Sequence, residues 1–204
     1  MGKIISVVGN LGAGKTTLAN LICDKGAYIL YREGPEERPF HIEYGNDQPR
    51  WALANQIDFF LFRCEQEAIA RQSNEIAVFD GGFDQDFHVF TRYIFNKGYL
   101  NQDEFNVCKR FYHMMRGFLP HPDLTIRIIV DIPTLLQRRS LRGRKTDNHL
   151  FGMQELSDFE LLIDQWFEHE ISSPVLQYSF DQDFHSYTNE IDKLLIQITK
   201  VLAA

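Results

Sequence analysis

Gly9, Asn10, Leu11, Gly12, Ala13, Gly14, Lys15 and Thr16 follow the order G-x-x-x-x-G-K-[ST] without a mismatch. That order suits one task, the holding of phosphate. Glycines let backbone N–H groups curl around an anion, and a helix that follows aims its positive dipole end at it. Lys15 is placed to reach the β- and γ-phosphates of a nucleotide, and Thr16 offers a hydroxyl to Mg2+. Gly9 through Thr17 are therefore the candidate contacts to ATP. Three further segments are dense in chemistry: Arg32–Phe40, Asp80–Asp86 and Asp181–Phe184. A fourth, Arg138-Arg139-Ser140-Leu141-Arg142-Gly143-Arg144, packs four arginines into seven positions of an otherwise acidic chain.

These residues need a scaffold, and the apolar pattern supplies one. Short apolar runs at Lys3–Val8, Tyr28–Tyr31, Glu75–Phe79, Leu124–Val130 and Pro174–Phe180 read as strands. Longer runs with helical spacing alternate with them: Lys15–Asp24, Pro49–Ala70, Asp84–Asn96, Gln102–Phe118, Pro133–Arg142, Glu155–Glu170 and Ser186–Val201. Arg32–Gln48, rich in Gly, Pro and Glu, reads as a loop. The alternation predicts an α/β protein, a three-layer α/β/α sandwich with a five-stranded parallel sheet. In such sheets ligands sit outside the carboxyl ends of the strands. The chemically dense segments at residues 9–16, 32–40, 80–86 and 181–184 all follow such ends.

Composition narrows the function further. The 204 residues suit one domain, 1–204. No run of about 18 apolar residues is present, so no membrane span is expected. The first residues lack a signal-peptide pattern. Three widely spaced cysteines fit neither a disulfide framework nor a zinc site, and suit the reducing cytoplasm. The net charge of −7 argues against a nucleic-acid polymer as partner. The length leaves no room for a helicase or transporter motor, and no Asn-Lys-x-Asp motif of G proteins occurs.

Over nearly its whole length the chain resembles the deoxyribonucleoside kinase family, with five segments in the family's order. They are the phosphate loop; Glu33-Gly34-Pro35-Glu36-Glu37-Arg38-Pro39-Phe40, similar to E-P-V-x-x-N-P-[FY]; the helix from Trp51 through Gln56 to Arg63; Asp80-Gly81-Gly82-Phe83-Asp84-Gln85-Asp86, where the family has [ED]-R-S-x-x-x-D; and the arginine-rich segment, like the family's lid, here about residues 138–150. Asp181-Gln182-Asp183-Phe184 is a weaker sixth match. The resemblance implies ATP-dependent 5′-phosphorylation of a deoxyribonucleoside in a P-loop kinase fold, a homodimer, and ATP and Mg2+ as cofactors.

On that reading Glu33 accepts the 5′-hydroxyl proton. Gln56 and Asp86 read the base edge, Arg63 orients Asp86, and Phe90 stacks on the base. Tyr44 and Asp147 resemble the contacts to the 3′-hydroxyl. Asp80 is the candidate Mg2+ carboxylate beside Thr16. Arg138 and Arg142 share a helix face and stabilise the transferring phosphoryl group. Arg142, Arg144, Asp183 and Phe184 surround the adenine side of ATP.

Two departures stand out. The family's arginine after the strand-end acid is Gly81 here, and its serine is Gly82. A working kinase then needs another cation beside Glu33, with Arg38 and Arg50 the candidates; Arg32 should point to the other side of its strand. Asn55 stands where the family often has an apolar residue against the base. The alternatives are a nucleoside-monophosphate kinase of thymidylate type, or a non-catalytic nucleotide binder that has lost the arginine.

Overall fold

In the computed structural model, residues 1–34, 38–142, 152–179 and 187–203 are described. The five strands are β1 (Lys3–Gly9), β2 (Tyr28–Tyr31), β3 (Ile76–Asp80), β4 (Leu124–Ile129) and β5 (Val175–Ser179). They form one parallel sheet in the order β2-β3-β1-β4-β5. β1 lies at the centre, and its alternation divides the core. Ile5 and Val7 face one layer, with Leu18 and Ile22 of α1 (Lys15–Lys25) and Ile191, Leu194 and Ile198 of α9 (Tyr187–Ala203). Val8 faces the other, packing with α3 (Gln48–Gln72) and α8 (Met153–His169) through Phe60, Phe159 and Trp166. Burial on both faces explains why β1 reads as a continuous apolar run and not as an alternating one.

The segment read as a loop over Arg32–Gln48 contains a helix, α2 (Pro39–Asn46). Its signal is weak because none of its residues is buried. Pro39 starts it, and ring contacts hold it on α3: Phe40 with Trp51 at 5.9 Å and His41 edge-on to Phe59 at 5.5 Å.

The helix expected over Asp84–Asn96 is not uniform. A short α4 (Phe83–Gln85) opens into a π-helical stretch, Asp86–Thr91, and closes as α5 (Arg92–Asn96). Thr91 Oγ1 donates to the carbonyl of Asp86, five residues back, at 2.9 Å. Such wide turns occur often at functional sites. α6 (Gln102–Arg116) opens with a capping box between Asn101 and Glu104. α7 (Ile132–Arg142) leads into residues 143–151, which lie outside the described part.

Among the described residues, no helix is long and apolar enough to cross a membrane. Exposed apolar side chains collect on α3 and α6: Leu61, Ile69, Val107 and Met114, with Phe118 just beyond. Within Asp84–Asn96 the apolar residues Phe87, Val89, Tyr93 and Ile94 are buried in the core instead.

Candidate active site

The loop between β1 and α1 is built as its sequence requires. Gly12 and Gly14 have φ of 85° and 102°, a region that glycine enters at little cost. Gly14 is the N-cap of α1, so the first turn's free N–H groups point into the loop. Lys15 Nζ donates to the carbonyls of Gly9 and Asn10, each at 3.0 Å. The Asn10 side chain is committed elsewhere, donating to the Leu156 carbonyl and the Glu160 carboxylate at 2.8 and 2.9 Å.

Gln85, which sequence reasoning did not single out, locks this loop to the turn after β3. Its amide Nε2 donates to the Gly9 carbonyl at 2.9 Å, and its Oε1 accepts from the Gly9 N–H at 3.4 Å. α7 closes the other side. Arg138 Nη1 donates to the Ala13 carbonyl at 3.2 Å, and the Arg139 stem lies so close to Gly12 that a Cβ there would sit 3.1 Å from it.

Thr16 Oγ1 donates to Asp80 Oδ2 at 2.6 Å. The second oxygen, Asp80 Oδ1, is buried without a hydrogen-bond partner. A buried carboxylate oxygen left over beside a hydroxyl fits a divalent cation held largely by phosphate and water. Among the described residues no cluster of three or more His, Cys, Asp or Glu stands ready to bind one alone.

Glu33 is half-buried just past the end of β2. Arg32 points away from it and donates to Asn20 Oδ1 at 2.9 Å, as strand alternation predicts. The cation expected from Arg38 or Arg50 is not there. Arg38 pairs with Asp58 at 3.6 Å and lies 4.4 Å over the Phe62 ring, and Arg50 stacks on Trp51. Asp58 and the Phe62 ring hold the Arg38 side chain on α3, and the Trp51 ring holds that of Arg50.

The space beside Gly81 belongs instead to Arg63. A Cβ on Gly81 would lie 3.0 Å from Arg63 Nη2. Arg63 has no exposed surface. Its Nε donates to Asp86 Oδ2 at 3.1 Å and its Nη2 to the Asp80 carbonyl at 3.0 Å. Burial works against its charge, while Asp86, Glu33 and Asp80 favour it. Ser6 Oγ holds the same turn by donating to the Gly81 carbonyl at 2.6 Å, and it sits where a Gly82 Cβ would come within 2.7 Å.

We therefore expect Gly81→Arg to damage the protein and not to restore a lost function. Gly81 has φ +79°, which costs other residues about 1–2 kcal/mol. That alone lowers Tm by roughly 2–8 °C in a chain of this size. Displacing Arg63 from Asp86 adds to the loss, so kcat/KM should fall at least about tenfold, on the scale of one charged hydrogen bond. Calorimetry and steady-state assays check both; a variant more active than wild type contradicts the placement of Arg63.

Thr91 links the Gln56 side chain to the backbone of Asp86. Gln56 is buried and its Oε1 lies 2.7 Å from Thr91 Oγ1, whose hydroxyl also reaches the Asp86 carbonyl. The hydroxyl ties the α3 amide to the π-helical turn that carries the carboxylate. Burial pushes the Asp86 carboxyl up to about 6, with Arg63 opposing and the charge of Glu33 adding to the rise. Phe90 packs on Phe159, ring centroids 5.3 Å apart. Tyr44, on α2, is half-buried, and burial raises its phenol above the ordinary value. Arg142 ends α7, with its side chain outside the described part. Arg144, Asp147, Asp183 and Phe184 also lie outside the described residues.

Behind the site a buried polar network fixes the turn after β3. Asp84 accepts from Tyr112 at 2.8 Å and from Arg116 Nε at 2.6 Å, and meets His121 at 3.2 Å. Arg116 also grips Glu67 with two bonds of 2.7 and 3.0 Å. Burial would raise the Asp84 carboxyl, but Arg116, His121 and Tyr112 together pull it down to about 2. Carboxylate and guanidinium pairs this deep rigidify the elements they join.

A glycine-rich phosphate loop at the carboxyl edge of a parallel sheet, facing a strand-end aspartate, defines a P-loop kinase, a phosphotransferase fold. A sequence model of the family described as Deoxynucleoside kinase matches residues 5–203, and the chain belongs to that family. It is 26% identical over 202 residues to "Deoxyguanosine kinase" of Bacillus subtilis, covering 97% of both chains. To "Deoxyadenosine/deoxycytidine kinase" of the same organism it is 23% identical, covering 98% of this chain and 93% of the relative. In fold it is similar to the structure of deoxyadenosine kinase from M. mycoides with bound dATP. The TM-score is 0.81 at 23% identity, over 95% of this chain and 98% of the other. The chain is therefore a phosphotransferase acting on deoxynucleosides, and neither the thymidylate-type nor the non-catalytic alternative is favoured.

Proposed function

We propose that the whole chain, residues 1–204, works as one kinase domain that transfers the γ-phosphoryl group of ATP to the 5′-hydroxyl of a deoxyribonucleoside. The observation that carries this reading is the convergence of Lys15, Thr16–Asp80, Glu33 and Arg63–Asp86 on one edge of the sheet. The loop N–H groups and Lys15 hold the phosphates of ATP. Thr16 and Asp80 Oδ1 hold Mg2+, which neutralises phosphate charge when bound. Glu33 takes the proton from the attacking hydroxyl. Arg138, anchored on the loop through Ala13, brings positive charge to the transferring group, joined by Arg142. Asp86 and Gln56 bind the base edge, Phe90 stacks on it, and Tyr44 meets the sugar. Arg144, Asp183 and Phe184 serve the ATP side, and Asp147 the 3′-hydroxyl. The protein is cytoplasmic, and its exposed apolar residues on α3 and α6 pair two copies.

The discriminating experiment offers ATP with deoxynucleosides and, separately, with deoxynucleoside monophosphates. Nucleosides should be the better acceptors, because the cation beside Gly81, Arg63, is already bound to Asp86 and, among the described residues, Arg38 and Arg50 are held elsewhere. A clear preference for monophosphates sinks this reading.

The raised Asp86 carboxyl sets a pH dependence. Below about 6 it is protonated and no longer a full acceptor for a base amino group; above about 6 it is ionised. kcat/KM for an amino-bearing deoxynucleoside should therefore fall up to tenfold per pH unit as pH drops below 6, and level off above it. In Asp86→Asn, slower throughout, that acid limb should vanish. A limb that survives in the variant assigns the titration to another group.

A further inference from the structure

We infer that Asn55 is a specificity-determining residue that hydrogen-bonds the base of the bound deoxynucleoside; this rests on the kinase reading above. Asn55 is 3% exposed, and its Oδ1 is buried with no hydrogen-bond partner. Its amide makes no hydrogen bond to any described residue. Leaving a buried polar group unpaired is costly, and most such groups in proteins are paired. Gln56 and Arg63, on the same helix, find partners in Thr91 and Asp86.

The direction of the amide follows from helix periodicity. Asn55, Phe59, Phe62 and Gln66 form one row along α3, at i, i+4, i+7 and i+11. Three members of that row meet the segment that carries Glu33. Phe59 lies edge-on to His41 of α2. Phe62 lies beneath Arg38 and 3.8 Å from where a Gly34 Cβ would stand. Gln66 Nε2 donates to the Arg32 carbonyl at 3.0 Å. Asn55 belongs to the same row, beside Gln56, so it borders the cleft between α3 and the Glu33 segment where the nucleoside must lie. An amide presents a donor and an acceptor side by side, and turning it over exchanges them. It therefore suits a base edge that carries an N–H next to a ring nitrogen or carbonyl. With Gln56 and Asp86 it makes a third reading group, and an apolar residue there would read nothing.

The test uses the whole 204-residue chain and Asn55→Leu, which keeps the branched shape and removes the amide. Tm without nucleoside should rise, because an unpaired buried polar group is gone. kcat/KM for the preferred deoxynucleoside should fall about tenfold, the size of one buried hydrogen bond. The loss should appear in nucleoside KM with ATP KM unchanged, and the preference over the other deoxynucleosides should narrow. Asn55→Ala should narrow the preference in the same way, which keeps the test open if the leucine variant fails to fold. Unchanged preference ratios in a folded variant overturn the inference. Absence of turnover by the wild type with every deoxynucleoside overturns the kinase reading itself, and this inference with it.

Discussion

Glutamine in place of Glu33 is expected to lower kcat by about 10²–10⁴-fold, the usual worth of a general base. The amide keeps the size and polarity of the side chain, so nucleoside KM should move far less. The argument rests on position. β2 ends at Tyr31, and two residues later Glu33 stands half-buried, close enough for its charge to act on both Arg63 and Asp86. Those two groups are bound to each other, and Arg63 also donates to the carbonyl of the strand-end Asp80. On the proposed reading, a carboxylate beside that pair receives the proton of the 5′-hydroxyl. If steady-state kinetics show kcat unchanged, the base is another group, with Glu36 and Glu37 next in line.

Alanine in place of Lys15 is expected to reduce phosphoryl transfer by at least about 10²–10³-fold, the cost of removing one donor that stabilises developing charge. Lys15 Nζ bonds two carbonyls of its own loop and takes no part in the apolar core. Its loss should therefore leave Tm within roughly 2–4 °C of wild type, about 1 kcal/mol for a chain of this size. Near-normal turnover by a folded Lys15→Ala protein would mean that the loop does not hold the reacting phosphates.

The parts of the site legible in the sequence are those whose chemistry is local. The phosphate loop is a contiguous run of residues, and its glycines declare their backbone geometry by type. The strands that end beside Glu33 and at Asp80 are short apolar runs, and β1 is buried on both faces, so its pattern is plain. α2 is not evident because none of its residues is fully buried and ring contacts with α3 hold it. The π-helical stretch is not evident because apolar periodicity does not report which hydrogen bonds a turn makes, such as that from the Thr91 hydroxyl to the Asp86 carbonyl. The relation between Arg63 and Gly81 joins residues from a helix and a strand end. Set against the family's pattern, the sequence lacks an arginine at position 81, and Arg38 and Arg50 are the nearest candidates to replace it. Packing on Phe62 and Trp51 keeps those two away, and a buried arginine already bound to Asp86 fills the space. Asn55 is visible in the sequence as an odd residue type, but only the structure shows its amide oxygen buried and unpaired.

The central claim, that a site with glycine at position 81 still transfers phosphate to a deoxynucleoside, is tested most directly by one measurement. The purified protein is supplied with ATP labelled in the γ-phosphate, Mg2+ and each of the four common deoxynucleosides in turn. The account predicts label in the 5′-monophosphate of at least one of them, formed one-for-one with ADP over many turnovers. ATP bound without release of ADP, or ADP formed with no labelled monophosphate, would contradict it.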